Sequence, residues 1–265
     1  MNFFRLYINS SVHVALAVVS FYVVTAIELG LDLKLNLALF LFFASVSGYN
    51  FVKYAGIAQL HHLSLTANLR LIQLFSLVCF VLMLFFGFQL SWASIALLSF
   101  LAALNALYAL PVFSQQKNLR SMPFVKVFVI ALVWAVATVV FPWLEAGRDF
   151  TFTILAYAFL RFLLLVGFMI PFEIRDMEYD YYSVTTIPNF MGLTRTKLFG
   201  VLLLVLSILI ANTLLDTTNL YIYIGVVFVL MIFILFSRQN QSPYYASFWA
   251  EAIPVVYALL SVFIE

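Results

Sequence analysis

The chain has 265 residues, 66% of them hydrophobic and only 9% charged, with 13 basic against 11 acidic side chains and a net charge of +2. A soluble domain carries about 25% charged side chains, so this chain cannot coat a water-facing surface and must be solvated by lipid. The weak charge gives no basic field for nucleic acid, and the single cysteine, Cys79, excludes an internal disulfide.

Taken in order, the apolar runs predict helices near 11–29, 35–56, 70–88, 92–113, 124–143, 151–171, 196–215, 219–237 and 246–264. A bilayer core of roughly 30 Å needs about 20 apolar residues per helix. Runs such as 198–215 lack the alternation of a barrel strand. No cleaved leader is expected, because no small-residue cleavage pattern follows the first run. The expectation is a single all-α polytopic membrane domain, 1–265, with nine transmembrane helices. Short connections such as 30–34 alternate with long polar ones at 57–69, 114–123 and 172–195.

Basic residues favour the cytoplasmic ends of helices. With the N-terminus inside and the C-terminus outside, Arg5, Lys53, Arg70, Lys117, Arg120, Lys126, Arg175, Arg195, Lys197 and Arg238 fall on the cytoplasmic side, and only Lys34 and Arg148 opposite. One helix more or fewer would scramble that bias, so the charges support both the orientation and the count.

Four of the eleven acidic residues fall within 173–180. If the preceding helix continues through this stretch, about 100° per residue brings Glu173, Asp176 and Asp180 onto one face and turns Arg175 and Glu178 away. Like charges so gathered need a cation, and an all-oxygen set suits Mg²⁺, which binds through carboxylates plus substrate phosphates. A solvated acidic loop is the plainer alternative. Lys117, Arg120 and Lys126 follow Tyr108-Ala109-Leu110-Pro111 on the same side of the membrane. They could bind phosphate oxygens, or they could serve only topology and anionic lipid. Together with the carboxylates they suggest a magnesium–phosphate site for a lipid phosphate at the cytoplasmic edge.

The segment Glu173-Ile174-Arg175-Asp176, then Asp180, Thr185-Thr186-Ile187-Pro188 and Gly192, resembles the second aspartate-rich motif of UbiA-type intramembrane prenyltransferases. The helix count and the Tyr108…Pro111…Lys117 segment are similar as well. The first motif of that family, Asn-x-x-x-Asp-x-x-x-Asp, is degenerate here: Asn50 is kept, but Tyr54 and Ala58 stand at the aspartate positions. Glu173 replaces the usual first aspartate of the second motif, and the spacing from Asp180 to the Thr-x-Pro segment is about one residue short.

The resemblance implies a UbiA-like bundle in the bilayer that moves a prenyl group from an isoprenyl diphosphate to a lipophilic acceptor. It places Mg²⁺ on Asp176 and Asp180 with Glu173 assisting, and these three carry the catalysis. Lys117, Arg120, Lys126, Arg175 and Lys53 are expected to neutralise diphosphate, with Asn50 and Tyr54 orienting it. A terpene cyclase is a variant of this reading, and a non-catalytic polyprenyl-diphosphate or lipid-binding protein on the same scaffold is the alternative. A small-solute carrier is disfavoured, because matched repeats and broken helices are missing.

Other polar residues are ambiguous. His61 and His62 diverge by about 100° on a helix and cannot easily share a metal. His13 is expected to face a neighbouring helix. Arg161 and Glu251 lie within apolar runs, where charge is costly and usually faces the bundle interior; Arg161 could pair with a carboxylate, and Glu251 could be an ordinary interface residue. Among the 30 phenylalanines some could line an isoprenoid tunnel, but most face lipid or pack between helices.

Overall fold

A computed structural model of the chain describes residues 3–58, 67–109, 124–180 and 186–264. Every regular element among them is helical: α1 Phe3–Asn9, α2 Val12–Glu28, α3 Leu35–Ala58, α4 Ala67–Gly87 and α5 Trp92–Ala109, then α6 Val125–Glu145 and α7 Phe152–Asp180. The chain ends with α8 Ile187–Met191, α9 Leu193–Leu214, α10 Thr217–Phe236 and α11 Tyr245–Ile264.

Eight of these helices are long and apolar enough to cross a membrane. The ninth apolar helix, α2, has 17 residues, about 25 Å at 1.5 Å per residue. Helix α1 was not expected, because its seven residues are too short to register as an apolar run. Helix α7 runs nine residues beyond its predicted end at 171, so the acidic segment is helix rather than loop.

Helix α7 is the hub. In its membrane window 67% of the residues are buried, against 11% for α4. It packs on α6, α9, α10 and the first turns of α11, while α2 packs on α3 and α11. Glycine permits the closest approach: a Cβ at Gly167 would lie 2.7 Å from the Leu204 side chain of α9.

Two helices contain a π-helical stretch, Val136–Val140 in α6 and Tyr245–Ala250 in α11. Each is followed closely by a proline, Pro142 or Pro254, whose missing N–H breaks the regular ladder. Such bulges collect at functional sites.

One pair of charges within the bundle is joined directly. Arg161 bridges to Glu28 at 3.3 Å, with both side chains under 5% exposed. The same guanidinium donates to the Phe21 carbonyl and to Thr25, and Tyr257 donates to the other Glu28 oxygen. The carboxylate expected for Arg161 is therefore Glu28, on α2.

Candidate functional site

Late α3, the start of α6, the end of α7 and the start of α11 converge at one end of the bundle. Between them lies a cavity of about 60 Å³ lined by Tyr49, Lys126, Glu173, Arg175, Asp176 and Glu251, with a floor that includes Trp134, Phe168 and Phe172. This volume holds a few waters, well short of the 300–1,000 Å³ of a typical ligand pocket. An isoprenoid chain would have to part these side chains.

The cavity's charges are arranged in a chain. Lys126 reaches both acidic residues, at 3.1 Å to Glu173 and 3.2 Å to Asp176. Arg175 holds the other Asp176 oxygen at 2.8 Å and covers the Phe172 ring. The helix does place Glu173 and Asp176 side by side. Arg175, expected to point away, instead lines the same cavity: the helical angle fixes its Cβ, while the long, flexible side chain curls back.

Local sequence explains why this end of α7 is held. Glu173 is 3% exposed, and its second oxygen accepts from the Ile187 backbone N–H at 3.4 Å. Thr186 caps α8 by accepting from the Asn189 N–H, with Pro188 in the first turn. Gly192 turns the chain into α9 at φ +82°, a conformation that L side chains rarely adopt. The Thr-x-Pro…Gly segment thus closes a turn onto Glu173.

Lys126 enters from a strained start. Phe124 has φ +65°, a costly value for an aromatic residue, and its ring packs edge-on against Phe190.

The other expected site residues fall elsewhere. Asn50 accepts from the Ser11 hydroxyl and donates to the Ser10 carbonyl and to Ser76. Lys53 and Tyr54 both donate to the Asn9 carbonyl. None of the three lines the cavity; they secure the α1–α2 junction, where Ser11 adopts a positive φ of 63°. The expectation that Tyr54 points into the pocket is corrected on this ground: its hydroxyl is spent on backbone. Asp180 ends α7, but its side chain lies outside the described residues, as do Lys117, Arg120, His61 and His62.

Two polar lining residues were absent from the expected site, Tyr49 and Glu251. Glu251 is 5% exposed and follows the π-helical stretch of α11 directly. The signal for it was in the sequence, a carboxylate within an apolar run, but its neighbours were not. His13 faces α11 as expected and accounts for the local geometry. Its Nε2 lies 3.0 Å from the Phe248 carbonyl, which can only accept, so Nε2 carries the proton. Nδ1 then accepts from the Tyr7 hydroxyl, 2.6 Å away.

The chain is thus a polytopic helical membrane protein with a charged, aromatic-floored cavity at one end of its bundle. Its fold is the UbiA fold. A UbiA homolog from Archaeoglobus fulgidus bound to GPP and Mg²⁺ superposes with a TM-score of 0.65 at 14% identity, over 98% of this chain and 99% of that one. The same homolog bound to DMAPP and Mg²⁺ gives 0.64 at 14% identity, over 98% of both chains. A structure described for digeranylgeranylglyceryl phosphate synthase in membranes gives 0.60 at 15% identity, over 99% of this chain and 98% of that one. No family model and no curated protein matches the sequence.

Proposed function

We propose that this protein transfers a prenyl group from an isoprenyl diphosphate to a lipophilic acceptor within the membrane. The observation that carries the reading is the cavity itself, where two protein cations, Lys126 and Arg175, and three carboxylates meet above an aromatic floor. Support comes from the shared fold, since the A. fulgidus homolog binds GPP and DMAPP with Mg²⁺. The site lies on the cytoplasmic side, as the distribution of basic residues argues.

The donor set fits one magnesium ion. Asp176 and Glu173 would hold it, with Asp180 one turn further along the same face, and diphosphate and water oxygens would complete its shell. A second ion would lack ligands, because Tyr54 and Ala58 stand where the first motif needs carboxylates. Among the described residues no three His, Cys, Asp or Glu side chains gather at one point. When bound, the ion draws electron density from the diphosphate leaving group.

This chain's own residues do the rest. Lys126 must leave the carboxylates to make room for the ion, and its ammonium then neutralises the diphosphate with Arg175. Lys117 and Arg120, which the sequence reading puts on the same side of the membrane, are proposed to add to that charge. Ring faces of Trp134, Phe168 and Phe172 stabilise the allylic cation and keep water from it.

The test is pyrophosphate release by purified protein in lipid discs with GPP, Mg²⁺ and a membrane lipid extract as the source of acceptor. Release is expected, and Asp176→Asn is expected to abolish it. GPP binding without metal-dependent release would overturn catalysis and favour a non-catalytic diphosphate-binding protein. One observation favours that second reading: Lys126 and Arg175 together balance the charges of Glu173 and Asp176.

A further inference from the structure

Four charged side chains of the cavity, Lys126, Arg175, Glu173 and Asp176, are joined in one network. Glu251 is the exception. Its carboxyl lines the cavity and is buried, yet among the described residues no hydrogen bond or ion pair satisfies it. The Tyr49 hydroxyl, on the same lining, is likewise without a hydrogen bond among the described residues. Glu251 feels the charges of Arg175 and Lys53 but is bonded to neither, so a buried carboxyl held at this cavity without a donor needs an account.

The backbone does not leave Glu251 there by chance. The π-helical stretch before it rotates the register, Pro254 withholds one backbone N–H where the regular helix resumes at Ile253, and His13 fixes the Phe248 carbonyl in place. Three features of sequence thus hold one carboxyl in the cavity, on the α11 side, while the diphosphate-binding cations stand on α6 and α7.

We infer that Glu251 binds and deprotonates the hydroxyl of the prenyl-accepting lipid, with Tyr49 as a second polar contact. This rests on the prenyl-transfer reading above. A hydroxyl suits the site better than a protonated amine, because an ammonium has no lone pair with which to attack. In the step, the acceptor O–H bond breaks and its proton passes to a Glu251 oxygen. The acceptor oxygen forms a bond to C1 of the prenyl group. The C1–O bond to diphosphate breaks, and its electron pair leaves on the diphosphate, met by Lys126 and Arg175. Glu251 returns the proton to water before the next cycle.

The experiment uses full-length protein in lipid discs with GPP, Mg²⁺ and 4-hexylphenol as probe acceptor, its methyl ether serving as control. In the wild type the phenol, but not the ether, is expected to give a prenylated product and to raise the melting temperature. Glu251→Gln is expected to lower product formation about 100-fold or more, within the range for loss of a general base. It should also remove the phenol-induced shift while moving GPP affinity less than about threefold. Glu251→Asp should recover part of the rate, and the rate lost in Glu251→Gln should return at alkaline pH, where the phenol ionises unaided. Equal phenol prenylation by wild type and Glu251→Gln would overturn the inference, as would the absence of any phenol-induced shift in the wild type. Failure of the wild type to bind GPP would instead overturn the prenyl-transfer reading, and the phenol shift would still report on Glu251.

Discussion

Lys126 shows how much one side chain carries. Its ammonium spans Glu173 and Asp176, so Lys126→Met leaves two neighbouring carboxylates with Arg175 as their basic partner among the described residues. A charge-assisted hydrogen bond to phosphate contributes roughly 1.5–3 kcal/mol, and the variant is expected to bind GPP about 10–100-fold more weakly by isotope-binding assay. Arg161 makes the complementary case inside the membrane. Arg161→Met strands the Glu28 carboxylate, and breaking such a buried pair costs about 3–5 kcal/mol. The double change Arg161→Met, Glu28→Gln should recover much of that loss in SDS-unfolding titrations, since the uncompensated charge is gone. Asn50 teaches caution about motifs: its identity is legible in sequence, but three hydrogen bonds to Ser10, Ser11 and Ser76 are visible only once α2, α3 and α4 pack. A short polar side chain pairs with whatever is nearest, and nearness across helices is not a sequence property.

Among the helices, α7 and α9 approach so closely at Gly167 that a larger residue must displace Leu204. Gly167→Leu is expected to cost about 1–3 kcal/mol by overpacking and to lower the melting temperature in detergent. Adding Leu204→Ala should restore part of it. Helix α10 begins with Asp216, whose side chain accepts from the Asn219 N–H. That backbone hydrogen bond, aided by the Asn219 side chain, holds the carboxyl below the usual aspartate value. A lowered value means the cap stabilises fully above the ordinary aspartate range and fades as pH falls through the lowered one. Asp216→Ala should therefore cost about 1 kcal/mol at neutral pH, with the difference from wild type vanishing in strong acid. Helix ends were the least legible elements. The acidic run 173–180 reads as a loop because it is polar, yet α7 continues through it, and Glu173 and Asp176 find cations on their own helix and on α6.

At the scale of the whole molecule, the distribution of basic residues predicts that 148 and 238 lie on opposite sides of the membrane, with 238 inside. In a Cys79→Ser background, Arg148→Cys in right-side-out vesicles should react with an impermeant maleimide before lysis, and Arg238→Cys only afterwards. Labelling of both on one side would refute the proposed topology. The sequence by itself determined that this chain lives in lipid, that it is helical, and where most helices lie. Each of these follows from composition and periodicity, because an unsatisfied backbone in hydrocarbon leaves few alternatives. Only the tertiary structure decided which charges meet. Lys126 lies 47 residues before Glu173 and Glu251 lies 78 after it in the chain, and no helical angle relates them. Their meeting at one cavity is set by the antiparallel packing of α6, α7 and α11, a property of the assembled bundle rather than of any single run.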